Sequence, residues 1–261
     1  MSENSKKLLF IVNVDTFLIS HRLEIALEAI KEGFEVHFAA KDTGKMKEIQ
    51  DLGIFTHPIR IHRSSISFKS LFQTLIDIKS LIINLKPQIV HFVSIKPVIL
   101  GGILLHFFKE KPFIISSISG LGQIYISKGL FSKLKKSLTN ILYRLAFCHE
   151  NLNVIFQNSN DLEYLCSVTG LKKNKTRLIN GSGVDLNKFK LTKLPDLGKP
   201  IILFPGRIIV SKGVLNFVEA AKVLGEKAKF VVCGEIDFES KDHISKELLN
   251  KWIDKKFIEY W

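Results

Sequence analysis

The run LLFIVNV (residues 8–14), followed by HRLEIALEAIKEG (21–33) and EVHFAA (35–40), decides the fold class. The first and last pieces are apolar almost without interruption, which suits strands of a parallel sheet covered on both faces. Between them Leu23, Ala26, Leu27 and Ile30 recur at helical spacing, and Gly33 stands where a helix C-cap is expected. The three pieces make one β-α-β unit.

The pattern repeats outward. FTHPIRI (55–61), IVHFVS (89–94), PFIISSIS (112–119) and NVIFQNS (153–159) read as further buried strands, and KSLFQTLIDIKSLIINL (69–85) and LFSKLKKSLTNILYRLAF (130–147) as helices. A doubly wound α/β domain over residues 1–178 follows. INGSGVDLNKF (179–189) and KLTKLPDLGKP (190–200) are turn-rich and read as a linker. A second β-α series fills 201–261: IILFPG (201–206), a helix over VLNFVEAAKVLG (214–225), KFVVCG (229–234), a helical pattern near 243–255 and a third strand in FIEYW (257–261). So few β-α units make a small core with an unpaired sheet edge, and a second domain cut short at Trp261 is the expectation.

Composition bounds the partners. Lys and Arg number 38 against 25 Asp and Glu, a formal charge of +13. Such a balance attracts nucleic acid, anionic lipid or phosphorylated small molecules. No zinc-finger spacing, RNP-like signature or basic tail supports nucleic acid. A lysine-rich proteome would give the same balance. The three cysteines, Cys148, Cys166 and Cys233, make neither a disulfide framework nor a zinc site, which implies a reducing, cytosolic compartment. LLFIVNV ends at Asp15 without a cleavage-like segment, and PVILGGILLHFF (97–108) is too short to span a bilayer.

LFPGRIIVSKG (203–213) carries the clearest chemistry. Ligands of open α/β sheets bind beyond the carboxyl ends of the strands. Gly206 allows close backbone approach, Arg207 can fork onto phosphate oxygens, and Lys212 adds a point charge. Gly213 opens a helix whose free N–H groups suit an anion. A basic solvated loop with turn glycines fits the same spacing. The first strand lacks the glycines of a dinucleotide site, so no nicotinamide or flavin cofactor is expected. Asp15, Ser20, His21 and Arg22 fall instead between that strand and the first helix turn. His21 could position a sugar hydroxyl or phosphate, or it and Arg22 could be surface residues behind a Ser20 N-cap. Gly120 and Gly122 of ISGLG permit backbone approach to a ligand or simply make a turn, and Lys96 could meet a phosphate or snorkel. In the 130–147 helix, Leu134, Leu138, Ile141, Leu142 and Leu145 lie to one side and Lys133, Lys135 and Lys136 elsewhere. Core packing with a solvated basic face is the usual outcome of that pattern, and contact with an anionic membrane the sharper one. No metal constellation is legible.

Together FLISHRLEIALEAIKEGFEVHFAA (17–40), SIKPVILGGILL (94–105), ISGLG (118–122), VIFQNSND (154–161), INGSGVDLNKF (179–189) and LFPGRIIVSKGVLNFVEAA (203–221) resemble the bacterial family 4 glycosyltransferases of the GT-B fold. The likeness is to the subgroup that builds capsule, O-antigen and glycoprotein oligosaccharides on a polyprenyl-diphosphate lipid. It implies two Rossmann-like domains and retaining transfer of a hexosyl or N-acetylhexosaminyl group from a UDP-sugar. No metal or other cofactor is required. A polyprenyl-diphosphate-linked acceptor would be met at the cytoplasmic face of the plasma membrane. Gly206, Arg207, Lys212 and Gly213 match the site of the donor diphosphate. His21 and Asp15 are the catalytic candidates, and Arg22, Lys96, Gly120 and Gly122 the candidates toward the acceptor and cleft. The family's later pair of glutamates, eight positions apart, has no counterpart, because Glu239 and Glu247 stand at the wrong place in the β-α order. Impaired activity, a non-catalytic fragment that keeps membrane or acceptor binding, or a subunit completed by a separate polypeptide are therefore expectations beside the transferase.

Overall fold

The computed structural model describes residues 6–62, 67–122, 125, 129–193, 198–238, 240 and 242–261; Glu239 and part of the 190–200 segment lie outside them. The chain divides into two compact units, Met1–Asp185 and Leu186–Trp261.

In the first unit seven strands form one parallel sheet: β1 (Lys7–Val14), β2 (Glu35–Lys41), β3 (Phe55–Pro58), β4 (Ile89–Val93), β5 (Phe113–Ile118), β6 (Leu152–Phe156) and β7 (Thr176–Leu178). Their order is β3-β2-β1-β4-β5-β6-β7. The period-2 geometry of β1 shows why both faces are apolar. Leu8, Phe10 and Val12 pack with Leu18, Ala26, Met46 and Ile49. Those partners come from α1 (Asp15–His21), α2 (Leu23–Lys31) and α3 (Met46–Asp51). Leu9 and Ile11 face Ile78, Ile82, Val98 and Tyr143 on the other side. These belong to α4 (Phe68–Leu85), α5 (Ile95–Leu104) and α6 (Leu130–Ala146), with α7 (Ser159–Thr169) completing the layer. Each fully buried Leu, Ile or Phe contributes about 1.5–3 kcal/mol. The chain steps from β1 outward to β3, then returns to the opposite side of β1 with β4. The crevice at the carboxyl ends of β1 and β4 is thus the switch point where such sheets take ligands.

The third strand is shorter than the pattern predicts, and β7 is a strand the pattern does not show. The first helix also differs: residues 15–21 are already helical, and the chain bends at Arg22 before α2. Ser20 is therefore no N-cap. Its hydroxyl donates to the Thr16 carbonyl one turn back at 2.8 Å.

The largest departure is α6. Leu134, Leu138, Ile141 and Leu145 are exposed, Leu134 by 68%, while Tyr143 and Ala146 are buried. Of the predicted stripe only Leu142 packs against the core, and core packing is overturned for the other four. The inward positions are taken by other chemistry: Lys136 lies over the Tyr125 and Tyr164 rings at 5.3 and 4.9 Å. Asn140 accepts from the Tyr125 hydroxyl and donates to the Tyr164 oxygen, at 2.8 and 2.9 Å. Helix α4 is similarly dressed, with Phe68, Phe72, Ile76 and Ile83 outward and Thr74, Ile78 and Ile82 inward. Among the described residues no helix is long and apolar enough to cross a membrane.

The second unit holds β8 (Ile201–Pro205), β9 (Lys229–Cys233) and β10 (Glu259–Tyr260) in a parallel sheet of order β10-β9-β8. Helices α8 (Val214–Leu224) and α9 (Lys246–Asp254) supply Val214, Val218, Leu249 and Trp252 to its core with Phe230 and Val232. Ile202 and Leu203 of β8 remain exposed.

Candidate functional site

The carboxyl end of β8 runs directly into the 206–213 loop. Gly206 has φ 141° and Gly234, after β9, φ 145°, both accessible only to glycine without strain. A Cβ on Gly234 would sit 2.1 Å from the Gly206 carbonyl oxygen, so the two strand ends meet backbone to backbone. Ile208 and Ile209 are buried and anchor the loop's middle. On either side, Arg207 is half-exposed and Lys212 exposed. Arg207 is not free: its guanidinium pairs with the Asp237 carboxylate. Asp242 braces the turn before Lys212, its carboxylate accepting the Ser211 N–H and its carbonyl the Val210 N–H, both at 2.8 Å. Hydrogen bonds from the Ser211 side chain, the Ser240 hydroxyl and the Ser211 N–H hold the Asp242 carboxyl far below the usual range. Gly213, φ 87°, is the N-cap of α8, and no side chain caps that helix. Two cations and an uncapped helix N-terminus therefore border one loop, a donor set suited to a diphosphate. Sequence reasoning missed Gly234, Asp237 and Asp242; they lie on the next strand and loop, and nothing local marks their return to this one. A cavity of about 630 Å³ bordered by Lys199, Lys229, Phe257 and Glu259 opens at the opposite, amino ends of β8 and β9, away from this chemistry.

In the first unit, Asp15 is fully buried at the start of α1. Its carboxylate accepts the backbone N–H groups of Thr16, Thr43 and Lys45 at 2.8, 2.7 and 3.0 Å and the Thr43 hydroxyl. Burial raises its pKa, but these donors outweigh that and hold it below the ordinary value. The residue ties the turn after β2 to the end of β1.

His21 is exposed and stacks on Phe17, ring centroids 4.2 Å apart. Its Nδ1 lies 2.6 Å from Ser20 Oγ. Because that hydroxyl's proton goes to the Thr16 carbonyl, the network assigns Nδ1–H to His21 as donor and leaves Nε2 with a lone pair. Partial burial and the Arg22 charge lower its pKa, keeping the ring neutral at pH 7.

Arg22 is buried, its Nη1 donating to the His21 carbonyl at 2.8 Å and Ser182 Oγ at 3.1 Å. Its charge reaches His91 on β4, which burial and Arg22 together push down to about 3. His91 Nε2 lies 2.7 Å from Ser117 Oγ. His91, Ser117, Gln157 and Ser182 were not singled out by the sequence. Lys96 donates to the His62 carbonyl, and Gly120 and Gly122 take φ 151° and 74° in the turn after β5. The structure thus groups Asp15, His21 and Arg22 on one strand-helix junction, and Gly206, Arg207, Lys212 and Gly213 on one loop.

Residues 7–158 match the family model described as Glycosyl transferase 4-like. The chain is 29% identical over 216 residues to a Campylobacter jejuni N,N'-diacetylbacillosaminyl-diphospho-undecaprenol alpha-1,3-N-acetylgalactosaminyltransferase. That alignment covers 78% of this chain and 56% of the relative, so the chain spans little more than half its length. Among solved structures, sucrose-phosphate synthase from Thermosynechococcus elongatus superposes with TM-score 0.74 at 15% identity, covering 98% of this chain and 70% of that one. A glycosyltransferase from Rickettsia africae gives 0.62 at 18% identity, covering 99% and 68%. Anabaena HepE in complex with UDP gives 0.67 at 13% identity, covering 98% and 68%. These likenesses show the GT-B type of α/β fold.

Proposed function

The chain belongs to the glycosyl transferase 4-like family, and from that membership we propose that it serves sugar transfer from a UDP-sugar to a polyprenyl-diphosphate-linked acceptor, with retention of configuration. The observation that carries this reading is the 206–213 loop: Arg207, Lys212 and the uncapped α8 N-terminus beside glycines at the carboxyl end of β8. In this reading Arg207 and Lys212 neutralise the charge that grows on the departing UDP, an interaction strongest in the transition state. Gly206 and Gly213 let the backbone approach the diphosphate. The neutral His21 ring offers Nε2 to a sugar hydroxyl. Asp15 acts as a positioning residue for the strand-helix junction that carries His21. Gly120, Gly122 and Lys96 would border the acceptor.

A peripheral place on the cytoplasmic face of the membrane belongs to the same proposal. The exposed stripes of α4 and α6 and the +13 charge support it, because amphipathic helices bind anionic lipid through both terms. The test is transfer of radiolabelled sugar from UDP-N-acetylhexosamine to an undecaprenyl-diphosphate-linked saccharide, with the product anomer read by NMR. Transfer with the donor's anomeric configuration supports the proposal; a chain that binds no UDP sinks it.

A second reading has one observation in its favour. Ile202 and Leu203 leave apolar surface on β8, which suits a module that binds membrane or acceptor and is completed by another polypeptide. Liposome binding without turnover would select it.

A further inference from the structure

Arg22 is the least compensated charge at the sheet's switch point. It is 4% exposed, its Nη1 donates only to neutral groups, the His21 carbonyl and the Ser182 hydroxyl, and its guanidinium carbon stands 6.0 Å from the centroid of the Phe17 ring. Nε is buried with no hydrogen-bond partner among the described residues. Burial alone moves its pKa, downward, with no carboxylate acting on it. A guanidinium remains charged at neutral pH even so, and a buried cation without a counter-ion is costly.

The surroundings fit an anion. Helix α2 starts at Leu23 with no side-chain cap, so free N–H groups of its first turn lie beside Arg22, where α1 also ends. The group covering Nη1 is readily replaced: Ser182 is exposed and stands between Gly181 and Gly183, whose φ values of 78° and 74° place it on a glycine-hinged turn. Its hydroxyl also receives Gln157 Nε2 at 3.3 Å, so a second donor points at the same spot. One hydroxyl oxygen occupies the position that a charged oxygen would fill better.

We propose that Arg22 is the recognition residue of a phosphate subsite on the first unit, with Gln157 as second donor and the Ser182 hydroxyl as the group an anion oxygen displaces. The ligand class is a diphosphate. Its assignment to the lipid acceptor rather than the nucleotide rests on the transferase reading; the subsite itself rests on Arg22.

The experiment measures binding of inorganic pyrophosphate, farnesyl diphosphate and UDP by calorimetry at low salt. An Arg207→Gln background weakens the second unit's contribution, so that the effect of Arg22→Gln reads the first unit. In that background pyrophosphate and farnesyl diphosphate are expected to bind, and Arg22→Gln to weaken both at least tenfold. Tighter farnesyl diphosphate than UDP assigns the site to the lipid; the reverse assigns it to the nucleotide. Ser182→Asp, a surface change that folds whatever Arg22→Gln does, supplies an internal carboxylate. It is expected to raise Tm and to cost at least tenfold in pyrophosphate affinity, while Ser182→Asn does neither. Pyrophosphate binding that ignores both Arg22→Gln and Ser182→Asp overturns the subsite, as does no binding in the Arg207→Gln background. UDP binding with Arg207 intact, unchanged by Arg22→Gln, leaves the transferase reading standing even then.

Discussion

The guanidinium of Arg207 is ion-paired to the carboxylate of Asp237, thirty positions further along the chain. An arginine proposed to hold a diphosphate thus already has an anion, supplied by the loop after the next strand. With Arg207 39% exposed, the pair contributes at most about 1 kcal/mol. It competes with the ligand more than it stabilises the fold. Asp237→Asn is expected to tighten UDP binding about two- to fivefold, the equivalent of roughly 0.5–1 kcal/mol. Arg207→Ala is expected to weaken it at least tenfold. Calorimetry with UDP checks both, and weaker binding in Asp237→Asn would mean the carboxylate aims the guanidinium.

Two buried imidazoles, His37 and His91, and the half-buried His57 make the first unit acid-sensitive. His91 is pushed down to about 3, first by burial and then by Arg22. Burial also lowers His37 and His57, whose Nδ1 and Nε2 lie 3.0 Å apart, with His37 Nε2 2.8 Å from Glu35. The unfolded chain binds these protons near pH 6.5 and the folded chain only at lower pH, so stability falls as pH drops below that value. His91 alone accounts for about 1.4 kcal/mol per pH unit in that window. Urea midpoints are expected to fall steadily from pH 6.5 to 4.5. His91→Gln should flatten the slope by about one proton, and an unchanged slope would show that His91 titrates in the folded state.

The parallel sheet was legible because continuous apolar strands and period-3.6 helices are local signals. β1 with its alternate burial of Leu8, Phe10 and Val12 against Leu9 and Ile11 carries the doubly wound fold in eight residues. The 206–213 loop was legible for the same reason, its glycines and cations being contiguous. Asp237, Asp242, Ser182 and Gln157 were not, since each meets its partner only after the sheet closes. For α6 the periodicity was legible, while the direction stayed open between core and membrane. Periodicity shows that Leu134 and Leu138 share a face with Ile141; only Tyr125 and Tyr164, claiming Lys136 and Asn140, decide that the face points outward.

That outward face gives a prediction without a stability penalty. Leu134, Leu138 and Ile141 are exposed, so replacing each by Ser removes little burial in the folded chain. On a lipid surface the same side chains would enter the acyl boundary, at roughly 1.4 kcal/mol or more apiece. Each Ser substitution is expected to lower partitioning into phosphatidylglycerol vesicles about tenfold, with Tm unchanged. Sedimentation with vesicles reads this, and full binding by the triple variant would place the membrane contact elsewhere.

The interface beneath that face is the opposite case. Helix α6 can lie close on α5 because Gly102 lacks a side chain, and α5 can lie close on β4 because Gly101 does. A Cβ on Gly102 would stand 2.7 Å from the Ala146 carbonyl oxygen and 2.8 Å from its Cβ; one on Gly101 would stand 2.1 Å from the Phe92 ring. Helix propensity favours Ala over Gly by nearly 1 kcal/mol, so an isolated helix would gain from either change. Overpacking a dense interface costs about 1–3 kcal/mol, and here it outweighs the propensity term. Gly101→Ala and Gly102→Ala are each expected to lower unfolding free energy in urea. Ala146→Gly should recover part of the Gly102→Ala loss by removing the facing Cβ, but not all of it, because the carbonyl oxygen stays. A Gly102→Ala variant as stable as the parent would mean that α6 can lift from α5 at no cost, and the outward stripe would then have no fixed seat.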